Sequence, residues 1–129
     1  SCAMRSTHLP AILALMPTEI QNGIREVNKL TSAGSQSATI NTTADKLFLL
    51  SEVEIFGSTT YSEAGEGTQY DYYKAGNSKV KKRNGSAAIW WERSPNAGYS
   101  TRFCYVDSNG SAGLSGASTA RGVAFGFCF

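Results

Sequence analysis

Few residues in this chain have the types and spacing to do chemistry. The single histidine of the 129 residues, His8, lies in Ser6-Thr7-His8-Leu9, and any serine or cysteine nucleophile would have to be built on it. It reads more simply as a surface or hydrogen-bonded histidine. Cys2, Cys104 and Cys128 are too few and too scattered for a disulfide framework or a zinc site, which needs close pairs of Cys or His. Cys104 and Cys128 could pair if their strands adjoin; the favoured reading is two free, half-buried thiols behaving as small hydrophobes. Their aromatic and glycine-rich surroundings hold no group that would lower a thiol pKa. Glu52 with Glu54, and Glu63 with Glu66, have the proximity of an acid–base pair, yet neighbouring carboxylates on a surface are ordinarily just solvated. Gly65-Glu66-Gly67 lacks both the glycine spacing and the Lys-Ser/Thr of a phosphate loop. No cofactor or metal is expected.

Basic and aromatic clusters are equally plain. Lys79, Lys81, Lys82 and Arg83 could touch phosphates, but the net charge of +2 favours a solvated loop beside a strand. Tyr70, Tyr72 and Tyr73 read as core or rim rather than as a platform for stacking bases. No nucleic-acid partner is expected. No apolar run reaches the length of a membrane span, so this segment is not expected to insert into a bilayer.

The elements that must hold these residues follow from periodicity. One domain is expected, since 129 residues bury roughly two-thirds of their unfolded surface without staples. Because the first residue is Ser1, the chain is expected to be the C-terminal part of a longer protein. Leu9, Ile12, Leu13 and Met16 have helical spacing, with Pro10 tolerable only in a first turn. Thr18-Glu19-Ile20-Gln21 has capping-box spacing and precedes the stripe Ile20, Ile24, Val27, predicting a second helix packed on a sheet. Residues 31–43 read as a Ser/Thr-rich loop entering a half-exposed strand, and 46–50 as a compact apolar strand. Ser51-Glu52-Val53-Glu54 repeats the capping box and predicts one helical turn ended by Gly57. Residues 58–85 are polar and irregular. Asn109-Gly110 between apolar runs is the strongest hairpin signal. The alternation of Val123, Phe125, Phe127 and Phe129 predicts a closing strand with one bulky, buried face.

The vocabulary changes near residue 93. Lys, Glu, Gln, Met and Trp account for 20 of the first 93 residues and none of the last 36. Twisted hairpins use few long polar side chains, which is one explanation. The other is genetic: an Asn codon ending in a pyrimidine, with both adenines randomised, cannot yield those five residues.

Trp90-Trp91-Glu92-Arg93-Ser94-Pro95, then Ser100-Thr101, Phe103-Cys104, Asn109-Gly110, Ala117-Ser118 and Gly122-Val123-Ala124-Phe125-Gly126-Phe127-Cys128 resemble the variable proteins of diversity-generating retroelements. The likeness is closest to the C-type-lectin-like type of gut phages and bacteria. Leu47-Phe48-Leu49-Leu50-Ser51-Glu52-Val53-Glu54-Ile55-Phe56-Gly57 and Tyr72-Tyr73-Lys74-Ala75-Gly76-Asn77-Ser78-Lys79-Val80-Lys81-Lys82 extend it over nearly the whole chain.

The resemblance implies an α+β C-type-lectin-like domain over 1–129, with two N-terminal helices, an irregular middle and a C-terminal antiparallel β meander. Its variable region would span about 88–121. Variable, ligand-facing positions would be Ala88, Ile89, Asn96, Ala97, Tyr99, Arg102, Tyr105, Asp107, Ser111, Gly113, Leu114, Ser115, Thr119, Ala120 and Arg121, with Asn109 and Gly116 as further candidates. Trp90, Trp91, Arg93, Phe103, Val123, Phe125 and Phe127 would form the fixed scaffold, Arg93 tying loops through backbone carbonyls. Tyr99, Tyr105, Arg102 and Arg121 would be the binding hot spots, because Tyr and Arg bury much contact area while keeping donors, and Leu114 an exposed apolar anchor. One accessible surface is expected to hold all five. The lectin calcium motifs are absent around Trp91-Glu92-Arg93 and Pro95-Asn96, and six oxygens cannot be assembled there.

The function implied is hypervariable receptor recognition at a phage tail tip or bacterial surface. The ligand would be a cell-surface protein or glycan, and homo-oligomerisation would run through the missing N-terminal region. The alternative is an enzyme or enzyme-derived domain resembling the formylglycine-generating enzyme, whose chemistry needs a reactive cysteine pair.

Overall fold

A computed structural model describes residues 2–129; Ser1 lies outside the described residues. The fold is α+β, with short helices and several small, mostly antiparallel sheets. A π-helical turn, Met4–His8, runs into α1 (Leu9–Ala14), where Pro10 occupies the first turn as its missing N–H requires. Helix α2 (Thr18–Gly23) is shorter than its apolar stripe suggests. Ile24 is already extended, at φ −70° and ψ 121°, and Val27 opens a strand. The capping box expected at Thr18 does not form. Pro17 is the N-cap, and the Gln21 amide donates instead to the Met16 carbonyl at 2.7 Å.

Residues 31–43, expected as a loop entering a half-exposed strand, lie within a long antiparallel ribbon of β1 (Val27–Gly34) and β2 (Ser37–Asp45), so the strand is found and the loop before it is strand as well. Its turn uses Ser35 and Gln36, both at positive φ (54° and 65°), a conformation that Asn-Gly advertises and Ser-Gln does not. Strand β3 contracts to Phe48–Leu49. Helix α3 (Glu52–Phe56) follows its sequence signature. The Ser51 hydroxyl accepts from the Glu54 amide, the Glu54 carboxylate accepts from the Ser51 amide, and Gly57 closes the turn at φ 77°.

Helix α4 (Asp71–Lys74) and the hairpin of β4 (Lys81–Arg83) and β5 (Ser86–Ala88) lead into the largest sheet. That sheet consists of β6 (Trp90–Pro95), β7 (Arg102–Val106), β8 (Ala112–Gly116) and β9 (Gly122–Val123), in the order β8-β7-β6-β9. The 107–111 turn joins β7 to β8 as expected, although only Gly110 takes a positive φ, 91°. The C-terminal meander is not wholly antiparallel, because β9 runs parallel to β6 and β10 (Phe125–Gly126) leaves to pair with β3. This crossing breaks the expected buried alternation. Val123, Phe127 and Phe129 are exposed, Phe129 by 64 %, whereas Phe125 remains packed.

The sheet is covered on both sides. Trp91, Phe103 and Tyr105 pack with Leu9, Ile24, Leu47 and Leu49 beneath the N-terminal helices. Trp90 and Val106 pack with Ile55 and Tyr73 of α3 and α4. Strand alternation alone produces this division, since neighbours along β6 and β7 point to opposite faces.

Candidate binding site and its polar frame

At the centre of the molecule is a buried polar frame. The Arg93 guanidinium donates to the carbonyls of Leu30 (3.0 Å), Leu49 (2.9 Å) and Glu66 (2.9 Å), and it pairs with Glu54. One side chain thereby ties β1, β3 and the 65–67 loop to β6, the loop-tying role expected of it. Lys29 reaches the other Glu54 oxygen, with the Phe48 ring 4.3 Å from its ammonium. Burial drives the Glu54 pKa up, but hydrogen bonds and charge from Arg93 and Lys29 outweigh it, and the carboxyl sits below its ordinary value.

The carboxylates expected to be solvated surface groups include some of the most buried side chains. Glu52, Glu54 and Glu66 are sequestered. Glu52 accepts from the Ser62 amide (2.8 Å), the Ser62 hydroxyl (2.7 Å) and the Tyr61 amide (3.1 Å), ordering the start of the 58–70 loop. Glu66 accepts from the Ser94 hydroxyl and from the Ser32 amide at 2.7 Å; burial nonetheless leaves its pKa raised. Ser94 also accepts from the Glu52 amide at 2.9 Å. These acids organise loops. The clue lay in α3, where a capping-box Glu points back into the fold; nothing local marked Glu66.

Glu92 differs. It is 2 % exposed, and neither carboxyl oxygen has a hydrogen-bond partner among the described residues. Burial, then the proximity of Glu52 and Glu66, pushes its pKa up to about 9, so it is a neutral acid at pH 7. Cys104 lies in the same environment. Burial, then Glu92, Glu52 and Glu66, raises its thiol pKa. The three cysteines are free; of the two expected to be half-buried, Cys104 is buried and Cys128 exposed, and Cys2 is exposed as well.

The expected ligand-facing residues divide. Loops 96–102 and 115–121 form one rim, joined where the Ala117 amide donates to the Thr101 carbonyl (2.9 Å), with Ser115 bonded to Thr119 (3.1 Å). On it, the Arg102 guanidinium lies 4.7 Å from the ring centre of Tyr99, itself 59 % exposed. The Arg121 guanidinium lies 5.2 Å from that of Tyr105. Ala97 belongs to the same loop, held from below by Tyr61 and the β1–β2 turn.

Other members leave this rim. Asp107 and Ser111 sit at the other end of the β7–β8 ladder, roughly 13 Å or more from Arg102 at the rise of a strand, and Ala88 lies in the β4–β5 hairpin opposite Lys81, whereas the Ile89 carbonyl accepts from the Gly122 amide (2.8 Å), next to Arg121. Leu114 pairs with Cys104 and so faces the side opposite Tyr105. The four expected hot spots and the Leu114 anchor therefore do not all share one surface, because the pleat puts Tyr105 and Leu114 on opposite faces. Asn96 is 5 % exposed; its amide donates to the Tyr61 carbonyl (2.7 Å), and its side-chain oxygen accepts from the Gly98 and Tyr99 amides. It builds the loop rather than facing a ligand. Gly113 is constrained too, since a Cβ there would lie 2.5 Å from the Tyr105 ring. Among the scaffold set, Trp90, Trp91, Arg93, Phe103 and Phe125 are packed, whereas Val123 and Phe127 are substantially exposed.

Beside the rim lies a cleft of about 860 Å³, bounded by residues 2–9, the β1–β2 ribbon, Leu47, Leu49, Trp91, Phe103 and the loop carrying Thr119, Ala120 and Arg121. Among the described residues no three His, Cys, Asp or Glu side chains are placed to hold a metal ion, and no helix is long and apolar enough to cross a membrane.

The sequence profile of a family described as a domain of unknown function, DUF6273, matches residues 10–128. The chain belongs to the DUF6273 family. That match spans every regular element from α2 to β10, so the polar frame and the rim both lie inside this DUF6273 domain. No curated protein and no solved structure matches the chain.

Proposed function

We propose that this domain is a non-catalytic recognition module of the C-type-lectin-like, retroelement-diversified kind, displayed on a phage tail or bacterial surface. Its ligand contacts are made by the rim of loops 96–102 and 115–121 together with Tyr105. The observation that carries the reading is the separation of roles within one stretch of sequence. Residues 90–94 are locked into a buried polar frame, while the compositionally restricted segment after them supplies one exposed Tyr–Arg pair, Tyr99 with Arg102, and one half-buried pair, Tyr105 with Arg121. Such pairs combine rigid aromatic area with free donors, the chemistry of adaptable binding surfaces.

The enzyme-like reading finds less support. A catalytic cysteine needs a thiolate, and Cys104 is buried beside three acids that disfavour one. In the native protein, Cys2 and Cys128 are expected to react promptly with a thiol reagent and Cys104 only on unfolding; rapid native labelling of Cys104 would restore the enzyme hypothesis. The decisive test of the binding reading is the flanking DNA. It should carry a near-copy of the codons for residues 88–121 that differs only at adenines, beside a reverse-transcriptase gene. A locus lacking both overturns the diversification.

A further inference from the structure

The cleft beside the rim has an unbalanced charge. Arg5 Nε lies 2.7 Å from the Asp45 carboxylate, although it is buried without a well-aligned hydrogen bond, and Arg93 is occupied by Glu54 and three carbonyls. Arg121 has no acidic partner among the described residues. Its Nε is buried without an acceptor, and its guanidinium is braced by the Tyr105 ring at 5.2 Å. That covered Nε is out of a ligand's reach, so an anion entering the cleft would bond to the terminal nitrogens of the same guanidinium and offset its charge there. The apolar part of the wall is Leu9, Leu47, Leu49, Trp91 and Phe103, and its polar part includes His8, Asn41, Thr43 and Glu92. The volume, about 860 Å³, suits a small molecule. Because Arg5 and Asp45, both on the cleft wall, offset each other, Arg121 leaves a single positive charge, which one negative charge matches.

We infer that this cleft binds a small molecule with an apolar body and one carboxylate, the carboxylate paired with Arg121 and the body lying on Trp91 and Phe103. The inference rests on the recognition-module reading and names the ligand class for one part of the rim.

The probes are N-acetyl-L-phenylalanine and its uncharged amide, titrated into the whole chain while backbone amide resonances are followed by NMR. The acid is expected to shift resonances of residues 119–121 and Thr31 and to bind about tenfold or more tighter than the amide. Arg121→Gln should reduce the acid to the level of the amide, and Arg121→Lys should restore part of the difference; each variant's melting temperature reports whether it is folded. Equal binding of acid and amide, an unchanged preference in folded Arg121→Gln, or no shift of cleft resonances at millimolar acid would overturn the inference. Those results would leave the display of the loops standing, because the flanking DNA tests that separately.

Discussion

Arg93 and Arg121 are the same residue type under opposite conditions, and the contrast separates the two working regions of this domain. Arg93 is enclosed, with acceptors for its donors from three backbone segments and one carboxylate. Arg121 rests on an aromatic face, and its Nε has no acceptor. A buried cation that is fully matched fixes its neighbours and is unavailable to anything else. One that is only braced keeps its bonding capacity for a ligand.

The sharpest way to break this comparison is Arg93→Met. Removing one partner of a buried pair leaves Glu54 with a carboxylate that Lys29 alone must match. A loss of about 3–5 kcal/mol in chemical denaturation is expected. A loss below about 1 kcal/mol would mean that Arg93 is no more structural than the rim arginines.

Over the roughly one or two pH units around neutrality that a folded sample tolerates, the next effect in size is the pH dependence of the frame. The folded-state pKa of Glu92 is raised to about 9, so the folded chain holds a proton that the unfolded chain releases near 4.5. Its contribution is full below about pH 4.5 and is lost as pH rises toward 9, at up to about 1.4 kcal/mol per pH unit. Glu54 has the opposite sign: its pKa is lowered, and its contribution is lost as pH falls below the ordinary carboxylate range. Stability should therefore peak under mildly acidic conditions. Glu92→Gln should flatten the alkaline limb and raise the melting temperature at pH 8; an unchanged limb would assign the slope to other groups.

Gly113→Ala probes the seam between the regions. The added methyl must displace the Tyr105 ring, an overpacking expected to cost about 1–3 kcal/mol and to shift Arg121, visible as changed resonances in residues 119–121. Unmoved resonances would uncouple Tyr105 from Arg121. The smallest effect belongs to the outer pair. Tyr99→Ala and Arg102→Ala should each change stability by no more than about 0.5 kcal/mol, because each side chain is exposed and neither forms a salt bridge. A loss of several degrees in melting temperature would make them part of the frame.

Most signals confined to a few adjacent residues were legible in the sequence, the Thr18 capping box being the exception. The Ser51–Glu54 capping box, the Gly57 stop, the Pro10 first turn and the 107–111 hairpin each depend on local backbone needs, and each forms where the residues indicated. Arg93 does bond to backbone carbonyls of several segments, as expected of it. What tertiary structure alone decided was pairing at a distance. It turned a Ser/Thr-rich segment into the β1–β2 ribbon, buried Glu52, Glu54 and Glu66, and left Glu92 without a partner. It also set β9 parallel to β6 and put Tyr105 and Leu114 on opposite faces. A carboxylate's environment is made by groups remote in the chain: Glu66 takes its bonds from Ser32 and Ser94, about thirty residues away on either side. Local sequence carries the instructions for turns and caps because their hydrogen bonds close within a few residues; burial and charge matching arise only when distant segments meet.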